Sequence, residues 1–366
     1  MKKFFPVQIS FYLIRNYILN FFILLTALLA VIYLFDTIEL LRRSSDKSEV
    51  GLSLVLTMSL FKLPEVGQLL FPFAILFSAM LSFWQLNRRQ ELIIMRSSGL
   101  SAWQFIIPIL LTAFTIGLLK VAVINPVGAL MIGQYETLES KFLKQKSSIV
   151  SLSQQGLWLR QENSQGVAIL HAGKIQMPSW KLNKVIVFFF DGNQDFSRRI
   201  DAKEADLNEG EWIFKDAVIN GHQEKPETAS LISMATDLTK TDIESSFLGP
   251  DTISFWKLKS YIKVLDQTGF DSTWLKIHFQ TLLAEPFLYM AMILLAASVS
   301  LRPPRLRGTA MLVLAGIFGG FFVFFSSSFL QAMGGAGQIP IVIAAWFPAL
   351  ITFMLGLFIL SLTEDG

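Results

Sequence analysis

Long uncharged stretches dominate the sequence, and their lengths fit the thickness of a lipid bilayer. No Lys, Arg, Asp or Glu occurs between Gly308 and Thr363, and the segment 333–340 (MGGAGQIP) divides this tract into two lengths that can each cross a membrane. Crossing roughly 30 Å of hydrocarbon needs about 20 helical residues. The pattern predicts an α-helical membrane protein with six transmembrane helices, near residues 14–35, 62–84, 101–124, 278–301, 308–330 and 339–362.

A stretch of different character separates the third predicted span from the fourth. Residues 125–277 are less apolar and have nearly balanced charges, and segments such as 157–160 alternate apolar with polar positions. This period-two pattern favours strands, so we expect an antiparallel β domain, either a sandwich or a jelly roll. Residues 253–266 change to a helical period. They predict an amphipathic helix, which either lies on the membrane surface or packs as an ordinary helix at the end of the domain.

The spans and the inserted stretch predict three parts. Residues 1–124 contain helices 1–3 with a short cytoplasmic helix at 84–99, residues 125–277 form the β domain, and residues 278–366 contain helices 4–6. Basic residues gather at one set of span ends: Lys2, Lys3, Arg15, Arg88, Arg89, Arg96, Arg302, Arg305 and Arg307. Such ends are usually cytoplasmic, so we expect both termini in the cytoplasm and residues 125–277 on the opposite side.

Composition agrees with the membrane class and argues against several functions. The chain is 52% hydrophobic and 16% charged, far from an average soluble domain. Because it has no cysteine and only three scattered histidines, no metal site is expected. The basic residues form no continuous stripe, so no nucleic-acid binding is expected. Nucleotide-binding and hydrolase motifs are also missing from the sequence. We therefore expect a non-catalytic protein without a cofactor, and any energy must come from a partner.

The connection between the second and third spans is the most suggestive segment. Residues 84–99 (WQLNRRQELIIMRSSG) predict a short helix with Gly99 at its C-terminal cap, and Ser101 with Gln104 predicts a capping box at the start of the next span. Charged and apolar side chains on this helix predict a docking surface for a cytoplasmic protein: Arg88, Arg89, Glu91, Leu92, Ile93 and Met95. A basic loop that sets topology, with its apolar residues in the membrane interface, explains the same residues equally well.

Two smaller features concern polar and small residues within the spans. Lys62 and Glu65 lie three positions apart and share a helix face. They either form a structural ion pair near the headgroups or line a polar mouth for a charged amphiphile. Gly316 and Gly320 form a small-residue face that permits close helix packing.

Several of these segments, in this order, resemble the lipopolysaccharide export permease family LptF/LptG (YjgP/YjgQ). The likeness rests on residues 63–72 (LPEVGQLLFP), 89–101 (RQELIIMRSSGLS), 154–158 (QQGLW) and 300–305 (SLRPPR). The arrangement of three spans, a large domain and three further spans also matches. Residues 155–158 and 301–305 resemble the LptG branch more closely, whereas Pro64 and Glu65 resemble the LptF branch, and the LptG branch is favoured.

The resemblance implies a permease subunit of an ABC transporter in the bacterial inner membrane. Such a subunit pairs with an LptF-type paralogue on an LptB-type ATPase dimer, which binds ATP and Mg²⁺. It extracts lipopolysaccharide and passes it to LptC-type and LptA-type periplasmic jelly-roll proteins. By this resemblance residues 84–99 are the coupling helix, Glu91 is the acidic residue presented to the ATPase, and residues 125–277 are periplasmic.

We expect the substrate cavity to differ from that of LptG relatives. Where relatives place basic residues, this chain has Tyr33, Gly133 and Glu136, and Glu65 stands beside the proline of the second span. Other cations near the outer membrane boundary are therefore expected to meet the lipid A phosphates. The expected cavity residues are Tyr33, Arg42, Arg43, Lys62, Glu65 and Lys120.

Two other functions are compatible with the same layout. A membrane-anchored periplasmic scaffold or receptor would keep the β domain but would have no transport cycle. A lipoprotein-releasing ABC permease is disfavoured, because such permeases generally place their large domain after the first span, whereas here it follows the third.

Overall fold

The computed structural model describes residues 7–45, 50–144, 149–153, 156–163, 166–176, 181–191, 195–208, 210–221, 226–236, 249–268, 271–301 and 309–364. The chain divides into two compact units. The helical unit is formed by residues 1–136, 254–256 and 273–366, and the β unit by residues 137–253 and 257–272. The basic residues Arg302, Arg305 and Arg307, used above to orient the chain, lie outside the described residues.

The α-helices in chain order are α1 (Val7–Ser44), α2 (Leu52–Arg88), α3 (Glu91–Ser97), α4 (Ala102–Leu119), α5 (Asn125–Glu139), α6 (Phe255–Thr268), α7 (Thr273–Ser300), α8 (Thr309–Gly335) and α9 (Ile341–Glu364). Two π-helical segments, Lys120–Ile124 and Ser140–Lys144, continue α4 and α5. Among the described residues, six helical stretches are long and apolar enough to cross a membrane, within α1, α2, α4–α5, α7, α8 and α9. The predicted six-span architecture is therefore confirmed.

Three of the crossing stretches extend beyond their apolar patterns. α1 continues past residue 35 to Ser44, and α2 begins before residue 62 at Leu52. These extensions carry polar side chains that meet each other, as in the 3.0 Å hydrogen bond between Thr37 Oγ1 and Ser59 Oγ. Because such groups find partners on the neighbouring helix, the helices need not be apolar on every face. The third stretch continues through the π-helical segment, so residue 125 lies within helix and the helical unit extends to residue 136.

Helix α7 is central to the helical unit, where it packs against α2, α4, α8 and α9. The approach to α4 is close enough to require glycine, since a Cβ atom at Gly117 would lie 2.6 Å from Cα of Pro286. Helix α8 approaches α2 in a related way. A Cβ at Gly316 would lie 2.5 Å from Cε of Met80, and one at Gly320 would meet the side chain of Leu76. Small residues thus let backbones approach where lipid supplies no hydrophobic driving force.

The first two residues of α6 belong to the helical unit and are hydrogen-bonded within it. The backbone N–H of Phe255 donates to Oδ1 of Asn125 at 2.8 Å, and Nε1 of Trp256 donates to the carbonyl of Ala122 at 3.1 Å. Further along α6, Leu258 and Leu265 are buried. The lysines of this helix are exposed, at Lys257, Lys259 and Lys263. Burial therefore follows the amphipathic period predicted for residues 253–266.

The β unit contains one antiparallel sheet of seven strands among its described residues. The strands are β1 (Ile149–Ser153), β2 (Gly156–Asn163), β3 (Gly166–Gln176), β4 (Lys181–Phe190), β5 (Phe196–Asn208), β6 (Glu211–Gly221) and β7 (Glu227–Ala235). An inserted antiparallel β domain was predicted and is confirmed. Its described strands lie in chain order, because connections of two to five residues join each strand to the next. Such connections give a meander rather than the Greek-key crossovers of a standard jelly roll.

The sheet curls until β2 meets the end of β7. Nε2 of Gln161 donates to the carbonyl of Ala235 at 3.1 Å, and Oγ1 of Thr236 donates to Oε1 of Gln161 at 2.8 Å. In a flat sheet, strands five places apart would be separated by about 24 Å. The curl encloses a cavity of about 840 Å³ whose lining includes Ala168, Phe190, Ile200, Ile232 and Met234.

A row of aligned irregularities, which we call the crease, crosses the sheet from β3 to β7. The regular pairing skips one residue on each strand, at Gly173, Lys184, Lys203, Asp216 and Ser230. Lys184 and Asp216 have the left-handed φ values 55° and 50°. At the crease the buried side of a strand changes from even to odd positions or the reverse, as from Phe214 to Ala217 on β6. The register is the same on both sides of the crease, so no strand gains an extra residue there.

Candidate functional site

The segment between α2 and α4 forms a break followed by a very short helix. α2 ends at Arg88, and Gln90 adopts a left-handed conformation with φ 59°, after which α3 runs from Glu91 to Ser97. The prediction of a single helix over residues 84–99 was therefore wrong. A left-handed residue cannot continue a right-handed helix, so residues 84–88 belong to the end of α2 and the separate element is α3.

Both predicted helix-end signals around Gly99 and Ser101 are present. Gly99 has φ 86°. Its N–H bonds to the carbonyl of Arg96 at 3.0 Å, and the N–H of Leu100 bonds to the carbonyl of Met95 at 3.2 Å, which is the Schellman pattern. The backbone N–H of Ser101 donates to Oε1 of Gln104 at 3.0 Å within the capping box of α4. The two caps end α3 and begin α4 within a few residues, so only a short connection separates these helices.

The apolar residues of α3 divide between an inner and an outer face. Leu92 and Met95 are buried and belong to the core of the helical unit. Ile93 and Ile94 are 59% and 64% exposed. Of the apolar residues predicted to dock a partner, Leu92 and Met95 therefore attach α3 to the protein itself. Ile94, which the sequence did not single out, joins Ile93 on the outer face.

The acidic residue of α3 is held by the first helix. Oη of Tyr12 donates to Oε2 of Glu91 at 2.9 Å and to Oε1 at 3.2 Å, and Nη1 of Arg89 lies 3.9 Å from Oε1. Arg88 lies over the ring of Trp84 at 5.3 Å, a cation–π contact. An open groove of about 310 Å³ runs between α1 and α3, lined by Gln8, Ile9, Tyr12, Glu91, Ile94 and Met95.

Several expected cavity residues lie along the contact between α1 and α2. Nζ of Lys62 donates to Oδ1 of Asp36 at 3.0 Å, so its partner is on α1 and was missed by sequence reasoning. Oδ2 of Asp36 is buried without a hydrogen-bond partner among the described residues. Oη of Tyr33 donates to the carbonyl of Leu56 at 3.3 Å. The remaining residues on these helices are the exposed Arg42 and Arg43 and the half-buried Glu65.

Lys120 lies elsewhere and does not present its charge to a surface. It begins the π-helical segment after α4, its side chain is 2% exposed, and Nζ lies 2.5 and 2.6 Å from the two carboxylate oxygens of Glu285 on α7. A lysine engaged in this way cannot also bind a phosphate. The expectation that Lys120 contributes to the cavity is therefore corrected. The two residues are 165 positions apart, and no local pattern indicates the pairing.

Elsewhere in the described residues, charged side chains form ion pairs and do not gather into a metal site. No group of three or more His, Asp or Glu side chains within the described ranges lies together as metal ligands would. On the β unit, Nζ of Lys215 donates to Oδ2 of Asp206 at 2.6 Å, and this bond with a carboxylate raises the pKa of Lys215. The exposed face of α3 remains the best candidate for a functional surface.

Comparison with known proteins gives a consistent result along most of the chain. The sequence profile of the family described as lipopolysaccharide export system permease LptF/LptG matches residues 11–362. The lipopolysaccharide export system permease protein LptG of Escherichia coli K12 is 24% identical over 317 residues, 82% of this chain and 84% of the relative. LptG of Haemophilus influenzae Rd is 24% identical over 314 residues, 83% of this chain and 84% of the relative. The resemblance seen in the sequence motifs is thereby confirmed.

Proposed function

Since this chain belongs to the lipopolysaccharide export permease family LptF/LptG, we propose that it is the LptG-type permease subunit of an ABC transporter. A separate LptB-type ATPase dimer binds ATP with Mg²⁺ and drives the cycle, and an LptF-type paralogue completes the membrane part. The chain itself is the non-catalytic transport subunit. It lies in the bacterial inner membrane with both termini in the cytoplasm.

The exposed face of α3 is the observation that supports ATPase docking. Ile93 and Ile94 are exposed, and the half-buried Glu91 lies beside them at the start of α3. The helix is anchored by Leu92 and Met95 and is joined by short connections to two membrane-crossing helices. A helix held in this way moves together with the helices at its ends. A charged residue beside two exposed isoleucines suits a partner groove that combines an apolar floor with a basic group.

The β unit supports the second half of the proposed route. Lipopolysaccharide leaves the membrane through a cavity shared with the paralogue and passes along the curled sheet to LptC-type and LptA-type periplasmic proteins. The 840 Å³ cavity of the β unit has both polar and apolar lining residues, as an amphiphile requires. Within the helical unit, Arg42, Arg43 and Lys62 are proposed to meet the anionic lipid headgroup, with Tyr33 and Glu65 nearby along α1 and α2. Lys120 is left out because it is paired with Glu285.

Reversing the charge of Glu91 tests the proposed coupling. The full chain is co-expressed with an LptF-type paralogue and a tagged LptB-type ATPase, and we measure how much permease is recovered with the ATPase and how fast the complex transports lipopolysaccharide. With Glu91→Arg we expect recovery and transport to fall about tenfold or more, because losing one member of a buried charge pair costs about 2–5 kcal/mol.

Asp251→Arg is the matched control, since it makes the same change of charge at an exposed carboxylate of the 3-10 turn. We expect this variant to keep normal assembly and transport. Normal assembly and transport in Glu91→Arg would contradict the proposed docking surface. Failure of the unaltered chain to bind any ATPase would instead favour the membrane-anchored scaffold.

A further inference from the structure

We propose that Tyr12 is a positioning residue of the coupling site. Its hydroxyl orients the Glu91 carboxylate and connects α3 to α1, so that movement of α3 is transmitted to the first membrane-crossing helix as well as to α2 and α4. This inference rests on the proposed function of α3 and assigns a role to a residue outside the α2–α4 connection.

The Tyr12 hydroxyl lies closer to the Glu91 carboxylate than the Arg89 guanidinium does. Oη of Tyr12 lies 2.9 Å from Oε2 and 3.2 Å from Oε1 of Glu91, whereas the nearest Arg89 nitrogen lies 3.9 Å away. Hydrogen bonds to an ionised carboxylate are shorter and about twice as strong as neutral ones. The tyrosine hydroxyl therefore determines where the carboxylate points more than the arginine does.

The other attachments of α3 do not orient Glu91. Leu92 and Met95 hold the helix by apolar packing, which is not directional. The caps at Gly99 and Ser101 fix the C-terminal end of α3. At the N-terminal end, Gln90 makes a sharp left-handed turn. The contact with Tyr12 is what fixes the side chain at this end of the helix.

Helix α1 provides a continuous path away from the coupling site. It runs unbroken from Val7 to Ser44, and Tyr12 and Asp36 are separated by about 36 Å of helix. Asp36 bonds to Lys62 of α2 at 3.0 Å. A shift of α3 that pulls on Tyr12 therefore acts on the same helix that carries part of the proposed headgroup site.

The Tyr12→Phe variant removes the hydroxyl while keeping the ring. In the complex with paralogue and ATPase, reconstituted in vesicles containing lipopolysaccharide, we expect transport per ATP hydrolysed to fall about three- to tenfold. Recovery of the ATPase should stay within about twofold. Tyr17→Phe is the matched control, because Tyr17 lies on the same helix and is buried in the core of the helical unit, five residues from Tyr12. It should leave both quantities unchanged.

A double-substitution cycle shows whether Tyr12 acts through Glu91. In a Glu91→Ala background, Tyr12→Phe should add no further loss of transport per ATP, because the group it orients is absent. Independent, additive losses would overturn the proposal. Unchanged transport per ATP in Tyr12→Phe alone would overturn it as well.

A spin label separates this inference from the proposed function. The sequence has no cysteine, so Ile93→Cys gives one labelling position on α3. The label is placed there because Ile93 is exposed and lies two residues from Glu91. In detergent, without any ATPase, Tyr12→Phe should make that label more mobile, and Tyr17→Phe should not. An unchanged label would overturn the positioning role. Failure of the unaltered chain to bind an ATPase would count against the proposed function while leaving the label result to decide the contact.

Discussion

Lys120 and Glu285 form a buried ion pair inside the helical unit. Nζ lies 2.5 Å from the carboxylate, and the two side chains are 2% and 14% exposed. Burying each ion alone costs several kcal/mol, and the cost is offset only while both partners are present. The pair adjoins the close approach of Gly117 to Pro286, so α4 and α7 are joined by both packing and charge.

Removing one partner of this pair should therefore destabilise the folded protein far more than removing both. We expect Lys120→Ala to destabilise the protein by about 3–5 kcal/mol, because the largely buried Glu285 carboxylate would lose the ammonium group that neutralises it. Combining Lys120→Met with Glu285→Leu should recover most of that loss. Thermal unfolding in detergent measures both effects, and Lys259→Ala, at an exposed position of α6, is the control. A midpoint for Lys120→Ala equal to that control would refute the role of the pair.

Residues whose partners are near in sequence could be predicted, and those with distant partners could not. Gly99 and Gln104 were assigned correctly because a helix cap involves groups within a few positions. Lys120 was placed in the substrate cavity because Glu285, its partner, is 165 positions away. Tyr12 was not singled out at all, since Glu91 follows it by 79 positions.

For whole elements, apolar length predicted which helices exist but not where they end. α1 and α2 extend beyond their apolar segments because polar side chains on one find partners on the other. In α3 the helical period separates Leu92 and Met95 from Ile93 and Ile94. The sequence could not show which pair faces the protein, because that depends on how α3 packs against its neighbours.

The contact between α4 and α7 should tolerate no side chain at Gly117. A Cβ there would lie 2.6 Å from the backbone of Pro286, so Gly117→Ala must push the helices apart. We expect a loss of about 1–3 kcal/mol, seen as a lower thermal midpoint in detergent. Gly133→Ala is the matched control, because its new Cβ would meet nothing within 4 Å, and it should be neutral or stabilising by up to about 1 kcal/mol. Equal midpoints for the two variants would contradict this account.

At the scale of the whole molecule, the contrast between apolar and polar segments was enough to predict a β domain inserted between two sets of three spans. The profile match over residues 11–362 extends across all of these parts. The strand order and the curl of the sheet could not be predicted from the sequence. The curl depends on the contact of Gln161 with Thr236, which brings β2 to the end of β7, a strand that is not its neighbour in the sheet. The predicted inserted antiparallel β domain is present, and the structure adds that its described strands follow one another in chain order.

The absence of cysteine allows the proposed orientation to be tested directly. Ser97→Cys on α3 and Thr228→Cys on β7 place single thiols at exposed positions. In cells with a permeabilised outer membrane, a membrane-impermeant thiol reagent should label Thr228→Cys and should reach Ser97→Cys only after the inner membrane is broken. The reverse pattern, or labelling of both positions in intact spheroplasts, would disprove cytoplasmic α3 with a periplasmic β unit.

The crease also restricts how the β unit can change during evolution. On β4 to β7 the more buried side of each strand changes at the same level, so these neighbouring strands keep matching sides both before and after that level. If one amino acid were deleted at Lys184 alone, the side chains of half of β4 would move to the opposite face of the sheet, while those of the neighbouring strands would not. Insertions and deletions at this line must therefore occur in several strands together, and homologous domains should either have the whole crease or lack it.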